Sequence, residues 1–475
     1  MGYSSFYKGK ISICLLLDYM ERLFTRKGFS LFIMVFDLLI IYFATYLSYL
    51  YFEDTLAAYD DNLQAVISMA PYIGLFYLIV GHVFELDKPK EFTLFGVAYS
   101  VTVSIACLFL LTMAMSFLTR RLAYPRSILI MSSFIQVVLL SAWHLFINKR
   151  YLTDNVKKKV LVIGYEKAKN LAFKLLSSKG MWTNVNFICT PDSSNMKKHI
   201  GACDVVFLAE DVDEITKQNI AEYCVGKDKE FCYEPKFQEI FLFNANFAQV
   251  EDTPVLKVRP FDVNSENNFV KRILDLSICT IGAIILFVPF LIVAICLKIG
   301  GGSVFFKQER VTQYGRVFYI YKFRTMIENA EALSGPVLAQ ESDKRITRLG
   351  HILRATRLDE IPQIYNILRG DMSIVGPRPE RPFFVEQFSK DIPEYNLRHR
   401  VKAGLTGLAQ VQGKYNTSVQ DKLKYDLLYI NGYSFAMDIK LIMQTLTVLL
   451  KKSSTEGVKD AVRNEELINR LVEEN

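Results

Sequence analysis

The sequence lacks the paired cysteines that zinc sites and disulfide frameworks require. Its eight cysteines are scattered and include no Cys-x-x-Cys pair, which excludes a disulfide scaffold and indicates a reducing compartment. A strong excess of charge is also absent, since the net charge is +7 over 475 residues. This modest balance argues against nucleic-acid binding but suits anionic lipid headgroups or phosphorylated substrates. With 51% hydrophobic and 22% charged residues, the chain is neither disordered nor collagen-like.

Charged residues are scarce at the N-terminal end of the chain. The first 150 residues hold 12 Lys+Arg and 10 Asp+Glu, whereas the other 325 hold 44 and 39. Four apolar windows in this part are long enough to cross a bilayer core of ~30 Å, which takes ~20 helical residues. They lie at about 30–52, 64–85, 93–118 and 123–147. No small-residue cleavage site follows the first window, so we expect no signal peptide.

The basic residues predict that both ends of this region face the cytoplasm. Cations precede the first window at Lys8, Lys10, Arg22, Arg26 and Lys27, and follow the fourth at Lys149, Arg150 and 157–159. One loop disagrees, because Arg120, Arg121 and Arg126 would fall outside.

Asp37 lies within the first window, where a carboxylate is costly. We expect a structural polar contact or a protonated acid there.

A different pattern follows the fourth window. A short apolar run, Val160 to Ile163, ends at Gly164 and precedes a helical stretch, and further apolar runs at 185–189 and 204–208 alternate with polar segments. This alternation predicts a small α/β module of the dinucleotide-binding type at about 155–260. Its turn, Gly164 to Lys169, has one glycine where the phosphate-binding fingerprint has three. A scaffold or regulatory role is therefore favoured over nucleotide binding.

A fifth apolar stretch, 276–297, is long enough to reach about 33 Å as a straight helix. Its flanks argue against a crossing, because cations stand at both ends: Lys271 and Arg272 before it, Lys298, Lys307 and Arg310 after it. Pro289 lies in the middle and removes a helical hydrogen bond. We therefore predict a re-entrant helix, a bent hairpin that enters the membrane and returns. The alternative, a fifth crossing, would place everything after Gly300 outside the cell.

Polar motifs are dense between residues 300 and 430, and their centre is the pair Asp359-Glu360. Pro362 disfavours helix at the residue before it and is suited to a helix start. The pair is therefore expected just before a helix at about 362–369, capped by Gly370. Amides at a helix N-terminus attract phosphate, and a cation bound by a carboxylate would neutralise it further.

Cationic side chains surround this pair in the sequence. We expect Arg354 and Arg357 to share one helical face, with Arg345 and Arg348 as further fork-shaped donors for phosphate oxygens. Pro377 and Pro379 restrict the loop that presents Arg378. An isolated Asp-Glu pair is usually a surface feature, but here acids, arginines and rigid loop follow a membrane-dipping segment. The combination favours a phosphate substrate held near lipid.

The segment from Lys271 to about Tyr429 resembles the bacterial polyprenyl-phosphate sugar-1-phosphate transferases, monotopic enzymes that initiate exopolysaccharide, capsule and O-antigen synthesis. The four spans and the α/β module are similar to the large members of that family. The shared motifs are Lys-Arg-x-x-Asp275, Phe306-x-Gln308-x-Arg310, Lys322-Phe-Arg-Thr-Met, Leu358-Asp-Glu-x-Pro-Gln, Asn366-x-Leu-x-Gly-Asp-Met-Ser, Val375-Gly-Pro-Arg-Pro and Gly404-Leu-Thr-Gly-Leu-Ala-Gln.

The resemblance implies transfer of a sugar 1-phosphate from a UDP-sugar to polyprenyl (undecaprenyl) phosphate, with Mg²⁺ as the cofactor. Asp359 matches the family's nucleophilic aspartate and Glu360 its metal-ligating glutamate. We expect a covalent intermediate on Asp359, although direct transfer would need similar residues. Phosphate binding is expected from seven cationic side chains: Arg310, Lys322, Arg324, Arg345, Arg354, Arg357 and Arg378.

Three positions depart from the family pattern. Val288 precedes Pro289 where serine is common, Thr312 replaces a usual glycine, and Ala403 replaces a usual proline. Two other function classes stay open: an inactive membrane scaffold or regulator, and a membrane-bound sugar-nucleotide dehydratase. Intact acidic and basic motifs weigh against the first, and the eroded glycine turn weighs against the second.

The predicted fold class is membrane α plus α/β with a mostly helical catalytic domain. The expected domains are a cytoplasmic segment 1–28, four transmembrane helices within 29–150, the Rossmann-like module 151–265, a catalytic domain 266–450 with a re-entrant helix at 273–298, and a C-terminal tail 451–475. The expected location is the bacterial cytoplasmic membrane with the catalytic domain inside. The resemblance also suggests a homodimer.

Overall fold

The structure is a computed structural model that describes residues 26–52, 59–84, 86–87, 94–118, 124–155, 158–177, 184–258, 265–327, 345–413, 417–450, 467–468 and 471. Arg120 and Arg121 of the loop that disagrees with the topology lie outside the described residues, as do residues 1–25. The fold is mostly helical, with small sheets. The chain divides into two compact units, Met1–Glu234 with Ser454–Asn475, and Pro235–Ser453.

Four long helices open the first unit. They are α1 (Arg26–Phe52), α2 (Tyr59–Val83), α3 (Leu94–Leu118) and α4 (Arg126–Asn155). They coincide with the four predicted apolar windows, and each is long and apolar enough to cross a membrane. About a third of each apolar segment is buried inside the bundle. The remaining apolar faces are exposed, as expected of helices that pack together within a bilayer.

Asp37 on α1 has partners on two other helices. The Tyr77 hydroxyl on α2 donates to Asp37 Oδ2 at 2.7 Å, and His144 Nε2 on α4 lies 3.1 Å from the same oxygen. The carboxylate is completely buried. These contacts bear out the structural polar contact expected at Asp37, because buried polar groups in a bilayer need hydrogen-bond partners.

A four-stranded parallel sheet follows in the same unit, with strand order β2-β1-β3-β4. Its elements are β1 (Val160–Ile163), α5 (Glu166–Leu176), β2 (Val185–Cys189), α6 (Met196–Ala202), β3 (Val205–Leu208), α7 (Glu214–Gly226) and β4 (Glu230–Tyr233). Strands β1 and β3 are buried along their whole length. Such continuous apolar runs are typical of central parallel strands covered on both faces.

The C-terminal segment contributes to this core. Ile468 is 4% exposed and packs in the cluster that contains Val160 and Leu171, with Leu471 beside it. Ile468 of the predicted C-terminal tail 451–475 is therefore part of this core.

The second unit begins with a short helix and a hairpin and continues with a long apolar helix. The elements are α8 (Phe237–Leu242), β5 (Asn246–Val250), β6 (Thr253–Lys257), α9 (Ser265–Ile299), β7 (Phe305–Val311) and β8 (Val317–Phe323). Helix α9 contains a segment long and apolar enough to cross a membrane. Its helical assignment continues through Pro289, and the re-entrant path stays a prediction.

The rest of the unit consists of short elements around one core. They are α10 (Arg348–Ala355), α11 (Gln363–Arg369), β9 (Ser373–Val375), α12 (Pro382–Asp391), β10 (Gly404–Thr406), α13 (Leu408–Gln412), α14 (Val419–Asn431) and α15 (Phe435–Leu450), with 3-10 turns at Gln313–Gly315, Leu358–Glu360 and Pro393–Arg400. Strands β9 and β10 pair in parallel. The core includes Ile367, Met372, Val375 and Leu427.

A second cluster joins the C-terminal half of α9 to the acidic pair. Val293 and Leu297 of α9 pack with Phe323 and Leu353, and Leu358 and Ile361 lie against this cluster. The Phe290 ring lies 5.1 Å from the Phe323 ring, centroid to centroid. Because Leu358 and Ile361 flank Asp359-Glu360, the cluster holds the pair next to the apolar helix.

Candidate active site

Asp359 and Glu360 lie in the 3-10 turn between α10 and α11. The predicted helix after the pair is confirmed: Pro362 is its N-cap, it runs from Gln363 to Arg369, and Gly370 ends it with φ +93°. This positive φ is the conformation that glycine adopts without steric cost. The acidic pair is thus held between two helices by a rigid turn.

Arg357 has a left-handed backbone conformation just before the pair. Helix α10 ends at Ala355, and Arg357 has φ 58° and ψ 13°, in the left-handed region. The expectation that Arg354 and Arg357 share one helical face was therefore wrong. A non-glycine residue in this region costs of order 1 kcal/mol. Its backbone conformation ends α10 and starts the turn that carries Asp359.

Glu360 is paired with two cations. Lys322 Nζ on β8 donates to Glu360 Oε1 at 2.7 Å, and Arg378 Nη2 donates to the same oxygen at 3.1 Å. Burial alone would raise the pKa of Glu360, but the charges of Arg378 and Lys322 outweigh it and hold this pKa well below its usual range. Glu360 is therefore ionised at any physiological pH, and Oε2 accepts no hydrogen bond from the described residues.

The surroundings of Asp359 shift its pKa in the opposite direction. It is 8% exposed, and its Oδ1 atom is buried without a hydrogen-bond partner among the described residues. Burial raises the pKa of Asp359, and the neighbouring charge of Glu360 adds to the rise, against the opposing charges of Lys322, Arg357 and Arg354. An unpaired buried oxygen is costly, so a donor or cation placed beside this oxygen would be stabilised.

The structure brings four of the seven predicted phosphate-binding side chains to this pair. Lys322 and Arg378 contact Glu360 directly, while Arg354 and Arg357 act on Asp359 through their charge. Arg354 Nε also donates to Thr325 Oγ1 at 2.9 Å. Gly350 lets α10 approach this segment, because a Cβ there would collide with the carbonyl of Thr325.

The other three predicted side chains make no hydrogen bond or ion pair with either acid in the part of the chain that the structure describes. Arg310 donates to Pro379 O at 3.0 Å and to Gln308 Oε1 at 2.6 Å. Arg324 donates to the carbonyl of Gly301. Arg345 lies in the segment before α10, where its carbonyl accepts from Ile327 N. Arg310 thus supports the Arg378 loop and does not face the acidic pair.

Arg398 is a supporting residue that the sequence analysis missed. It is buried, and its Nη2 donates to the carbonyl of Arg378 at 2.9 Å and lies 2.8 Å from Asp426 Oδ2. Its Nη1 donates to the Tyr395 hydroxyl at 2.6 Å. The run Arg398-His-Arg400 is the signal in the sequence, but nothing in it indicates which cation is buried.

Two departures from the family pattern contact each other. The Ala403 amide donates to Thr312 Oγ1 at 3.2 Å, and the Thr312 hydroxyl donates to the carbonyl of Asp371 at 2.8 Å. Proline has no amide hydrogen and glycine has no hydroxyl, so the usual pair could not form this bond. The two departures compensate each other locally.

The turn at Gly164 in the first unit is closed by carboxylates of the chain itself. Asp211 Oδ2 accepts from the Lys167 amide at 2.8 Å, in the first turn of α5, and Glu210 Oε2 lies 3.0 Å from Lys167 Nζ. A Cβ at Gly164 would collide with Ala209. A carboxylate of the chain thus accepts one of the backbone amides at the start of α5, where helix amides otherwise lack partners.

Comparison with known proteins identifies the second unit. Residues 266–452 match the family model described as bacterial sugar transferase. The uncharacterized sugar transferase EpsL of Bacillus subtilis is 37% identical over 199 residues, which cover 40% of this chain and 90% of that protein. The chain belongs to the bacterial sugar transferase family. The family predicted from the motifs is confirmed.

Longer relatives of this bacterial sugar transferase carry more specific names. The UDP-N-acetylgalactosamine-undecaprenyl-phosphate N-acetylgalactosaminephosphotransferase of Aeromonas hydrophila is 42% identical over 187 residues, 38% of this chain and 44% of that protein. The UDP-glucose:undecaprenyl-phosphate glucose-1-phosphate transferase of Klebsiella pneumoniae is 33% identical over 258 residues, 52% of this chain and 54% of that protein. The chain thus spans about half the length of these two relatives.

Proposed function

We propose that this bacterial sugar transferase moves a sugar 1-phosphate from a UDP-sugar to polyprenyl (undecaprenyl) phosphate and releases UMP, the first step of exopolysaccharide, capsule or O-antigen synthesis. One observation carries the proposal: an acid pair, of which Asp359 is buried and has an unpaired oxygen, lies among four cations and beside an apolar helix. The relatives' names contain both a UDP-sugar and undecaprenyl phosphate. Anionic substrates fit the cations, and a lipid acceptor fits the apolar helix.

Asp359 is the proposed nucleophile. Its carboxylate oxygen forms a bond to the phosphorus attached to the sugar, while the bond from that phosphorus to the UMP oxygen breaks and its electrons leave with UMP. A phosphate oxygen of the polyprenyl phosphate then attacks the same phosphorus and displaces Asp359. The nucleophile of the first step is a carboxylate and that of the second is a phosphate anion. Neither nucleophile has to lose a proton, so neither step needs a general base.

The cations stabilise charge during these steps. Arg378 and Lys322 pair with Glu360, and Arg354 and Arg357 add positive potential around Asp359. Charge accumulates on the departing phosphate as its bond breaks, and preorganised cations in a partly buried site stabilise it strongly.

The donor set fits Mg²⁺. This ion is usually bound by one or two carboxylates together with substrate phosphates and water, and Glu360 Oε2 and Asp359 Oδ1 are free of hydrogen bonds within the described residues. We propose that Glu360 holds the ion, which when bound would neutralise the diphosphate. Glu360→Gln should therefore raise the Mg²⁺ concentration needed for half-maximal UMP release by about tenfold, a typical loss for an altered ligand shell. An unchanged magnesium titration would remove this role.

We propose the predicted domains and topology for the whole chain. Helices α1 to α4 span the inner membrane, α9 is re-entrant, and the catalytic domain faces the cytoplasm. A homodimer stays a prediction. The α/β module is proposed as a scaffold or regulator rather than a nucleotide site, since Asp211 already accepts the first-turn amide of α5. The same contact weighs against the dehydratase alternative.

The experiment is a panel of UDP-sugars offered to the purified full chain with undecaprenyl phosphate and Mg²⁺. The proposal predicts UMP release with at least one sugar and strict dependence on the lipid for turnover. Hydrolysis without lipid, or no release with any UDP-sugar from a folded preparation, would contradict it. The inactive-scaffold alternative predicts the second of these results.

A further inference from the structure

The start of α9 bonds to two separate segments of the proposed active site. Three side chains, Lys271, Arg272 and Asp275, are called the anchor motif here. Lys271 and Asp275 are 7% and 3% exposed, although charged residues are rarely buried without partners. Each member of the anchor motif has a specific polar partner far away in the sequence.

Arg272 donates hydrogen bonds to two backbone carbonyls at the end of α11. Its Nη1 donates to the carbonyl of Ile367 at 2.6 Å and its Nη2 donates to the carbonyl of Leu368 at 2.7 Å. These carbonyls lie in the last turn of α11, at the negative end of the helix dipole, where a cation is favourable. The opposite end of this seven-residue helix is joined through Pro362 to Asp359 and Glu360.

Asp275 holds the strand that leads to Arg378. Its Oδ1 accepts from the Ser373 hydroxyl at 3.1 Å and from the Ile374 amide at 3.0 Å. Strand β9 ends at Val375, and Gly376 and Pro377 connect it directly to Arg378. The side chains of Arg272 and Asp275 are three residues apart and lie on the same face of α9.

Lys271 fixes this turn of α9 to the other helices of the unit. Its Nζ lies 2.6 Å from Asp438 Oδ2 on α15 and donates to the Tyr429 hydroxyl on α14 at 3.2 Å. The Tyr429 hydroxyl donates in turn to Asp438 Oδ1 at 2.7 Å. All three groups are buried, so this turn of α9 cannot shift without breaking the network.

We infer that Arg272 and Asp275 are positioning residues that set the distance between the acidic pair and Arg378. One turn of α9 bonds both to α11, which follows the acidic pair, and to β9, which leads to Arg378. The position of α9 therefore determines whether Arg378 meets Glu360. This inference rests on the proposed function. It differs from the topology role of Lys271 and Arg272, in which charge alone would suffice.

The test uses the full chain and four variants. Asp275→Asn and Arg272→Lys alter the anchor motif, Ser373→Ala removes one donor to Asp275, and Lys298→Met removes a cation from the exposed other end of α9 as the matched control. Because a displacement of ~1 Å at a reacting group can cost ~10²-fold, Asp275→Asn should lower kcat/KM for UMP release by about that factor. Ser373→Ala should lose less, and Lys298→Met should match the parent chain.

Arg272→Lys separates the two roles. Lysine keeps the charge but lacks the fork that reaches two carbonyls. If Arg272 is a positioning residue, Arg272→Lys should lose most of the kcat/KM that Asp275→Asn loses. Activity equal to that of the parent chain would mean that Arg272 acts only on topology and would overturn the inference for Arg272.

A double-mutant cycle distinguishes positioning from a general loss of structure. If Asp275 acts through Arg378, then Asp275→Asn should lower kcat/KM for UMP release by less than about threefold in an Arg378→Lys background, because the effects of coupled residues are not additive. Full multiplication of the two losses would overturn the inference for Asp275.

Hydrogen exchange gives a readout that does not need activity. In Asp275→Asn, the segment 373–380 should exchange faster than in the parent chain, while Lys298→Met should leave it unchanged. Unchanged exchange in Asp275→Asn would overturn the inference. Absence of UMP release by the parent chain with altered exchange in the variant would instead contradict the proposed function and leave the link between α9 and β9 in place.

Discussion

Asp359 and Glu360 are neighbours in sequence with opposite electrostatic surroundings. Arg378 and Lys322 lower the pKa of Glu360, whereas burial and the Glu360 charge raise the pKa of Asp359. A more basic carboxylate is the better nucleophile as long as it is ionised. The carboxylate with the unpaired oxygen is therefore the one suited to attack phosphorus, and its neighbour is suited to hold cations.

The raised pKa of Asp359 has a pH signature. The reactive form is the carboxylate, so activity should fall as the pH drops through this pKa, at a higher pH than for an ordinary aspartate. Arg357 lowers the pKa of Asp359 by its charge. Arg357→Met should therefore move the acid limb of kcat/KM for UMP release to higher pH, and Arg357→Lys, which keeps the charge, should not.

The comparison of these two variants separates charge from backbone. Both have an unbranched side chain at a left-handed position, so the strain is similar in each. An acid limb that stays in place in Arg357→Met, or moves equally in both variants, would contradict the electrostatic role of Arg357.

At the scale of elements, hydropathy and backbone chemistry made several features predictable. The apolar windows coincide with α1 to α4 because bilayer-length helices need long apolar runs. Pro362 and Gly370 bound α11 because each restricts or permits one backbone conformation. The end of α10 was not predictable, since the left-handed Arg357 belongs to a residue type that usually continues a helix.

Long-range polar contacts could not be predicted from the sequence either. Asp275 and Ile374 are 99 positions apart, and Arg398 and Arg378 are 20 apart. Nothing local indicates which donor meets which acceptor, because tertiary packing decides it. The Asp-Glu pair, in contrast, was readable because its turn, cations and loop lie close together along the chain.

The contact between Thr312 and Ala403 joins the turn after β7 to the segment before β10. Thr312→Gly should destabilise the catalytic unit by about 1–3 kcal/mol, because two buried backbone groups lose their partner. Ala403→Pro should also destabilise it, since the proline ring would meet the Thr312 hydroxyl. In the double variant the glycine makes room for the ring.

The cost of Ala403→Pro should therefore fall by about 1 kcal/mol in the Thr312→Gly background, within the usual range for contacting residues. Thermal unfolding of the four purified chains measures this coupling. Simple addition of the two costs would show that the departures from the family pattern are independent.

At the scale of the whole molecule, the proposal requires the catalytic unit to face the cytoplasm. The side chain of Glu386 on α12 is exposed, and Glu386→Cys should be shielded from an impermeant thiol reagent in intact cells and labelled after lysis. Asp54 lies between α1 and α2, a connection that the predicted topology places outside the cell, and Asp54→Cys is the control that should label in intact cells. Ready labelling of Glu386→Cys in intact cells would restore a fifth crossing by α9.

The role of Asp359 is tested most directly by the mass of its peptide. The full chain is incubated with Mg²⁺ and the UDP-sugar chosen from the panel, without lipid acceptor, and then digested. The account predicts one UMP released per chain and a phosphosugar adduct on the peptide that contains Asp359, lost on addition of undecaprenyl phosphate and absent from Asp359→Asn. Lipid-dependent turnover with an unmodified peptide, or substantial UMP release by Asp359→Asn, would contradict it.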